Sequence, residues 1–171
     1  MEFDMSAFIT RIATSQDGAQ ISTLMMASYC ELMTTHYQPD TLELALPLMT
    51  KANPSLLRSG TYYIAETIDR TIVGCGGWTM KRPGTGEVAE GHGHLRHFAT
   101  HPGFTGKGIG RAIYKICETI AKRAGMDRLE CYANLNAQHF YKALGFEPFE
   151  EVQVHLRSNV TFASMRMTRG I

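Results

Sequence analysis

The stretch Leu95-Arg96-His97-Phe98-Ala99-Thr100-His101-Pro102-Gly103-Phe104-Thr105-Gly106-Lys107-Gly108-Ile109-Gly110-Arg111 decides the reading of this chain. Its first six residues are strand-like, His101-Pro102 closes the strand, and Gly106, Gly108 and Gly110 punctuate the turn that follows. From Arg111 onward, Ile113, Ile116, Cys117, Ile120 and Ala124 recur at helical spacing, so the turn joins a strand to a helix. That order makes a phosphate cradle. Glycines let successive amides point into one concavity, and a helix N-terminus adds about half a positive charge there. A flexible surface loop is also rich in glycine, and the flanking strand and helix are what favour the cradle. The Walker spacing fails because Lys107 is followed by Gly108 rather than Ser or Thr, and the dinucleotide fingerprint fails because Ile113 stands where a glycine is needed. The expected ligand is a nucleotide or coenzyme phosphate.

Upstream, a strand is expected over 8–13, followed by Thr14-Ser15-Gln16-Asp17 with the spacing of a capping box. A helix should run from Gly18 to about Thr35, burying Ile21, Leu24, Met25, Ser28 and Leu32. Pro39, Pro47 and Pro54 divide the next stretch, where 40–49 forms a second helix and a candidate substrate wall. Strands follow over 61–67 and 71–80, joined by Ile68-Asp69-Arg70 as a hairpin. Gly74, Gly76 and Gly77 in the second allow a bulge or the close approach of another segment. Residues 81–91 read as an exposed loop. Beyond the glycine turn and its helix come a strand over 128–133, a short helix over 137–144 ended by Gly145, and a strand pair over 149–156 and 160–167. This order of elements defines an α/β sandwich on a mixed sheet.

Composition narrows the function classes. A chain of 171 residues at 44% hydrophobic suits one domain with a single core, taken as residues 1–171 with the core over 8–168. With 17 basic and 16 acidic side chains, nothing favours nucleic acid or a membrane surface as partner, and anion recognition must be local. Cys30, Cys75, Cys117 and Cys131 are widely spaced, so neither a disulfide framework nor a zinc ribbon is expected. The first residues carry Glu2 and Asp4 and no long apolar run, so a cytoplasmic location is the default expectation.

The chain resembles the GNAT superfamily of acyl-CoA-dependent N-acetyltransferases. The resemblance rests on the strand and glycine turn together with Asn136-Ala137-Gln138-His139-Phe140-Tyr141-Lys142-Ala143-Leu144-Gly145-Phe146 at the later position that the family uses. It covers nearly the whole chain. It departs at Thr105, where the family turn begins with Arg or Gln. The resemblance implies a mixed, mostly antiparallel sheet of about seven strands with helices on both faces. It also implies acetyl-CoA as cosubstrate and a primary amine of a small molecule or peptide as acceptor. Backbone groups of Phe98, Ala99 and Thr100 would pair with the pantetheine arm as an added strand. Residues Thr105, Gly106, Lys107, Gly108, Ile109, Gly110 and Arg111 would hold the pyrophosphate, mainly through amides. Asn136 would bond the coenzyme arm, although an asparagine there also serves as a helix cap. Monomer and homodimer both stay open, edge strands of similar domains often pairing.

Attack of an amine on a thioester makes three demands. The amine, protonated at neutral pH, must lose a proton. The carbonyl oxygen needs a fixed donor, which in similar enzymes is a backbone amide, here near Phe98. The leaving thiolate needs an acid, for which Tyr141 is the candidate, against the plainer reading of a tyrosine packed on its helix. For the base, Glu90, His92, His94 and His97 all lie at or before the central strand. His94 takes first place and His92 second, by position relative to the pantetheine-pairing residues of similar enzymes. Without a bulge, alternation puts His92, His94 and Arg96 on one face and Leu95 with His97 on the other. Two other readings are a metal site built from His92, His94, His97 and His101, and a non-catalytic acyl-CoA-binding or regulatory domain on the same fold.

Overall fold

The computed structural model describes residues 7–171. Its strands are β1 (Ile9–Ile12), β2 (Tyr62–Glu66), β3 (Ile72–Thr79), β4 (His92–Thr100), β5 (Arg128–Asn134), β6 (Glu147–Arg157) and β7 (Val160–Gly170). Its helices are α1 (Gly18–Leu32), α2 (Pro39–Met49), α3 (Pro54–Leu57), α4 (Ile109–Arg123) and α5 (Gln138–Ala143). Among the described residues the seven strands form one sheet in the order β1-β2-β3-β4-β5-β7-β6. All neighbours are antiparallel except β4 and β5, which run parallel. The expected mixed, mostly antiparallel sheet is therefore present. The α4 crossover makes that one parallel pair.

Two apolar clusters cover the two faces. On one, Ile21, Leu24 and Met25 of α1 and Leu42 and Ala45 of α2 pack on Ile64, Cys75 and Phe162. On the other, Ile109, Ile113, Tyr114, Cys117 and Ala121 of α4 pack on Ala65, Val73, Trp78 and Leu129, with Tyr141 and Phe146 beside them. The buried stripe of α4 is thus set one residue away from part of the expected one. Ala121 is inside, and Ala124, which follows the last residue of the helix, is exposed.

The glycines of β3 have a steric reason. A Cβ on Gly74 would lie 2.3 Å from Ile109 Cγ2, and one on Gly76 would lie 2.7 Å from the Phe98 ring. Bare backbone at these places lets α4 and the Phe98 side chain sit close to the sheet. At the N-terminal end, the Asp17 carboxylate accepts the Thr14 N–H at 2.7 Å and the Arg11 guanidinium at 2.8 Å, and Arg11 also binds Glu66 at 3.1 Å. The capping spacing is realised on a single helical turn over Ser15–Asp17 that leads into α1. Helix α1 ends at Leu32 rather than Thr35, and Leu32 is partly exposed where the periodicity expected burial. Helix α3 was not expected; Asn53 starts it by accepting the Ser55 N–H at 2.9 Å.

Candidate functional site

The parallel pairing of β4 with β5 is short. It joins His92, Gly93 and His94 to Arg128, Leu129 and Glu130, and then the strands part. Strand β5 continues to pair with β7 as far as Asn134, and β4 continues to pair with β3 as far as Thr100. The facing edges of 95–100 and 131–134 are left without a ladder partner between them. Such an edge can accept an extended ligand as an added strand.

A bulge marks the point of divergence. In β4, Arg96 pairs with Gly77 and Ala99 with Cys75, so His97 and Phe98 together face Gly76. His97 has φ 48, an uncommon left-handed conformation for a histidine. It is held by the Tyr62 hydroxyl, which donates to the His97 carbonyl at 2.8 Å, and by the Cys75 thiol at 3.5 Å. The Tyr29 hydroxyl donates to the next carbonyl, that of Phe98, at 3.2 Å. Simple alternation therefore fails beyond Arg96. Phe98 joins Leu95 in the α4-side cluster, and Ala99 belongs to the α1-side cluster.

Two cavities meet at this divergence. The larger, about 440 Å³, is lined by Phe98, Ala99, Thr100, Thr105, Gly106, Gly108, Ile109, Gly110, Arg111, Asn136 and Tyr141, with Leu32 and Phe104 at its edge. The smaller, about 220 Å³, is lined by Arg96, His97, Phe98, Tyr132, Asn134 and Tyr141, with Met49 and Phe162. Tyr29, Phe98, Asn134, Ala137 and Tyr141 line both. They form the wall between a large and a small chamber.

The large chamber is a fitting receptacle for a coenzyme. Gly106 and Gly108 have φ 74 and φ 80, and Gly108 caps the 15-residue α4. An added Cβ would meet nothing at either, so it is the left-handed backbone that calls for glycine. Gly110 differs, because a Cβ there would lie 2.8 Å from Phe140 Cζ. The first amides of α4 open on this concavity with the positive end of the helix dipole. Across from them, Asn136 Oδ1 is buried without a hydrogen-bond partner, as a group waiting for a ligand donor would be. Lys107 does not line the chamber and instead holds its ammonium 5.4 Å over the Phe104 ring. His101 accepts the Gly103 N–H at 3.1 Å and so shapes the turn.

Tyr141 stands at the junction, nearly buried between Phe98, Phe140 and Phe146. Burial holds its phenol well above the ordinary value of 10, so it carries its proton at neutral pH. His97 opens on the small chamber. Burial first, and then the Arg96 charge, push its imidazole down to about 4, so it is neutral there. His92 and His94 line neither chamber. His94 is 2% exposed, with Nδ1 3.9 Å from Glu130, and burial outweighs that carboxylate to lower its pKa. His92 Nδ1 is buried and unpartnered, and Glu90 is exposed. Among the described residues no three His, Cys, Asp or Glu side chains gather as metal ligands, and no helix is long and apolar enough to cross a membrane.

Two tyrosines outside the expected catalytic and coenzyme-binding residues also contribute. Tyr29 braces the bulge and lines both chambers. The Tyr37 hydroxyl accepts the Leu135 N–H and donates to the Ala163 carbonyl, at 2.8 and 2.7 Å, with its ring stacked on Phe162. It fixes the turn that presents Asn136. A tyrosine ring among apolar neighbours reads as packing, and only the fold shows which carbonyl its hydroxyl reaches.

Residues 25–146 match the model of the acetyltransferase (GNAT) family, and the chain belongs to that family. No curated protein matches its sequence. Its fold is similar to that of a GCN5-related N-acetyltransferase from Rhodopseudomonas palustris, with TM-score 0.75 and 20% identity over 100% of both chains. It is also similar to the PaiA N-acetyltransferase from Thermoplasma acidophilum in complex with coenzyme A, with TM-score 0.73 and 15% identity over 96% of this chain and 99% of that one. A mosquito arylalkylamine N-acetyltransferase like 5b has TM-score 0.64 and 13% identity over 96% of this chain and 100% of that one. The family is one of acetyltransferases.

Proposed function

We propose that the protein transfers an acetyl group from acetyl-CoA to a primary amine of a small molecule or peptide by direct attack. The observation that carries this reading is the junction at Phe98 and Tyr141, where a chamber with an anion cradle meets a second chamber large enough for a small acceptor. In this reading the pyrophosphate lies on the amides of residues 105–111, and the pantetheine arm lies along Phe98, Ala99 and Thr100 with Asn136 opposite. The thioester then reaches the shared wall. The amine enters from the small chamber, its nitrogen bonds the carbonyl carbon, and the carbon–sulfur bond breaks.

The residues of the wall meet the three chemical demands. A backbone amide at the bulge near Phe98 faces the oxygen as it gains charge. Tyr141 gives its proton to the departing sulfur, and burial keeps that proton available. The amine proton passes to water in the small chamber, on which neutral His97 opens. His94 and His92 stand further along β4 and line neither chamber, so this reading gives them no direct contact with the amine. A free-thiol assay with acetyl-CoA across a panel of amines tests the reading. Amine-dependent thiol release is expected, and coenzyme binding without such release for any amine overturns it.

A further inference from the structure

The small chamber has an unusual charge pattern for a site that admits an amine. No Asp or Glu lines it, whereas Arg96 and His97 do. The neighbouring arginines are paired. Arg166 binds Glu130 at 3.0 Å and Glu150 at 3.1 Å, and Arg82 lies 3.7 Å from Glu130. Arg96 is different. Its one side-chain hydrogen bond runs from Nη1 to Thr79 Oγ1 at 3.1 Å, its Nε, like that of Arg82, is buried without a partner, and among the described residues no carboxylate pairs with it.

A half-buried guanidinium with an unmet donor is costly unless an anion completes it. The same charge repels an ammonium approaching alone, in a chamber with no acid to offset the repulsion. Both problems vanish if the acceptor brings its own anion. A carboxylate matches the planar fork of a guanidinium and can dock on the terminal nitrogens, of which only Nη1 is engaged, by Thr79. We infer that the acceptor is a carboxylate-bearing amine, such as an amino acid or short peptide, whose carboxylate docks on Arg96 while its amine reaches the wall at Phe98 and Tyr141. Arg96 precedes the bulge and its head group turns toward Thr79, so the carboxylate sits back along β4 from the reacting amine. Polyamines and simple alkylamines lack that group and are poor acceptors. This inference rests on the acetyl-transfer reading and refines its acceptor class.

The test compares matched acceptors with the wild-type protein: amino acids against their amides and decarboxylated amines, with a phosphate-bearing amine as a further arm. The carboxylates should exceed their uncharged partners in kcat/KM by about 10- to 100-fold, the usual worth of a hydrogen-bonded charge. Arg96→Met should abolish that discrimination, mainly by raising KM for the carboxylates, and Arg96→Lys should restore part of it. A thermal melt of each variant shows whether it is folded. Equal turnover of charged and uncharged acceptors by the wild-type protein overturns the inference, and so does a clear preference for the phosphate-bearing amine. Either result leaves acetyl transfer itself intact. Failure of every amine, with coenzyme bound, overturns both.

Discussion

The two chambers on either side of Tyr141 are built by different means. The large one is made of backbone: left-handed glycines, the first amides of α4 and the free edge of β4. The small one is made of side chains from α1, α2, four strands and the loop before β4. Backbone sites bind what all relatives share, because a phosphate or an extended arm needs only amides and carbonyls. Side-chain sites select, and one unpaired arginine can change the acceptor class.

Tyr141→Phe strikes the wall that both chambers share and should have the largest effect. Removing the proposed acid should lower kcat by about 100-fold or more with coenzyme affinity little changed, as read by steady-state kinetics beside a coenzyme titration. An equal loss of coenzyme affinity would assign Tyr141 to the large chamber alone. Gly108→Ala should act on the large chamber only. Placing a Cβ at φ 80 costs about 1–2 kcal/mol, which the free variant escapes by relaxing the turn and must bear on binding, so coenzyme binding weakens by about 5- to 30-fold while kcat at saturation is retained. Tyr29→Phe should be milder, lowering kcat/KM by about fivefold through loss of the bond to the Phe98 carbonyl, with turnover and coenzyme binding both affected.

The same division explains what could be read from the sequence. The glycine turn was legible because left-handed backbone restricts which residues fit, and Gly106 and Gly108 stand where that restriction applies, whereas Gly110 is set by the close approach of Phe140. Most element positions followed from apolar periodicity, and the mixed sheet and the family were recognisable from the strand, the turn and the Asn136 segment. The bulge was not legible. It depends on Tyr62 and Tyr29 reaching carbonyls far away in the chain, and it moves Phe98 to the opposite face from that given by alternation. For the same reason Arg96 was read only as a strand residue. Its lack of a carboxylate becomes visible once Arg82 and Arg166 are both seen to pair with Glu130.

A further expected effect concerns stability against pH rather than kinetics. His97 is neutral in the fold down to about 4, whereas in the unfolded chain it protonates near 6.5. Between those values the unfolded chain takes up a proton that the folded chain refuses, so stability is lost as pH falls through that window. His97→Asn tolerates the left-handed backbone and should reduce the fall in Tm between neutral pH and pH 4.5. An unchanged fall would show that the imidazole is not held neutral by its surroundings.

The most direct test of the central claim is a crystal structure with a non-hydrolysable acetyl-CoA analogue. The pyrophosphate should lie on the amides of residues 105–111, the arm should pair with β4 where β5 has parted from it, and the acyl carbonyl should sit between Phe98 and the Tyr141 hydroxyl. An analogue bound with its acyl end outside that junction would contradict the account.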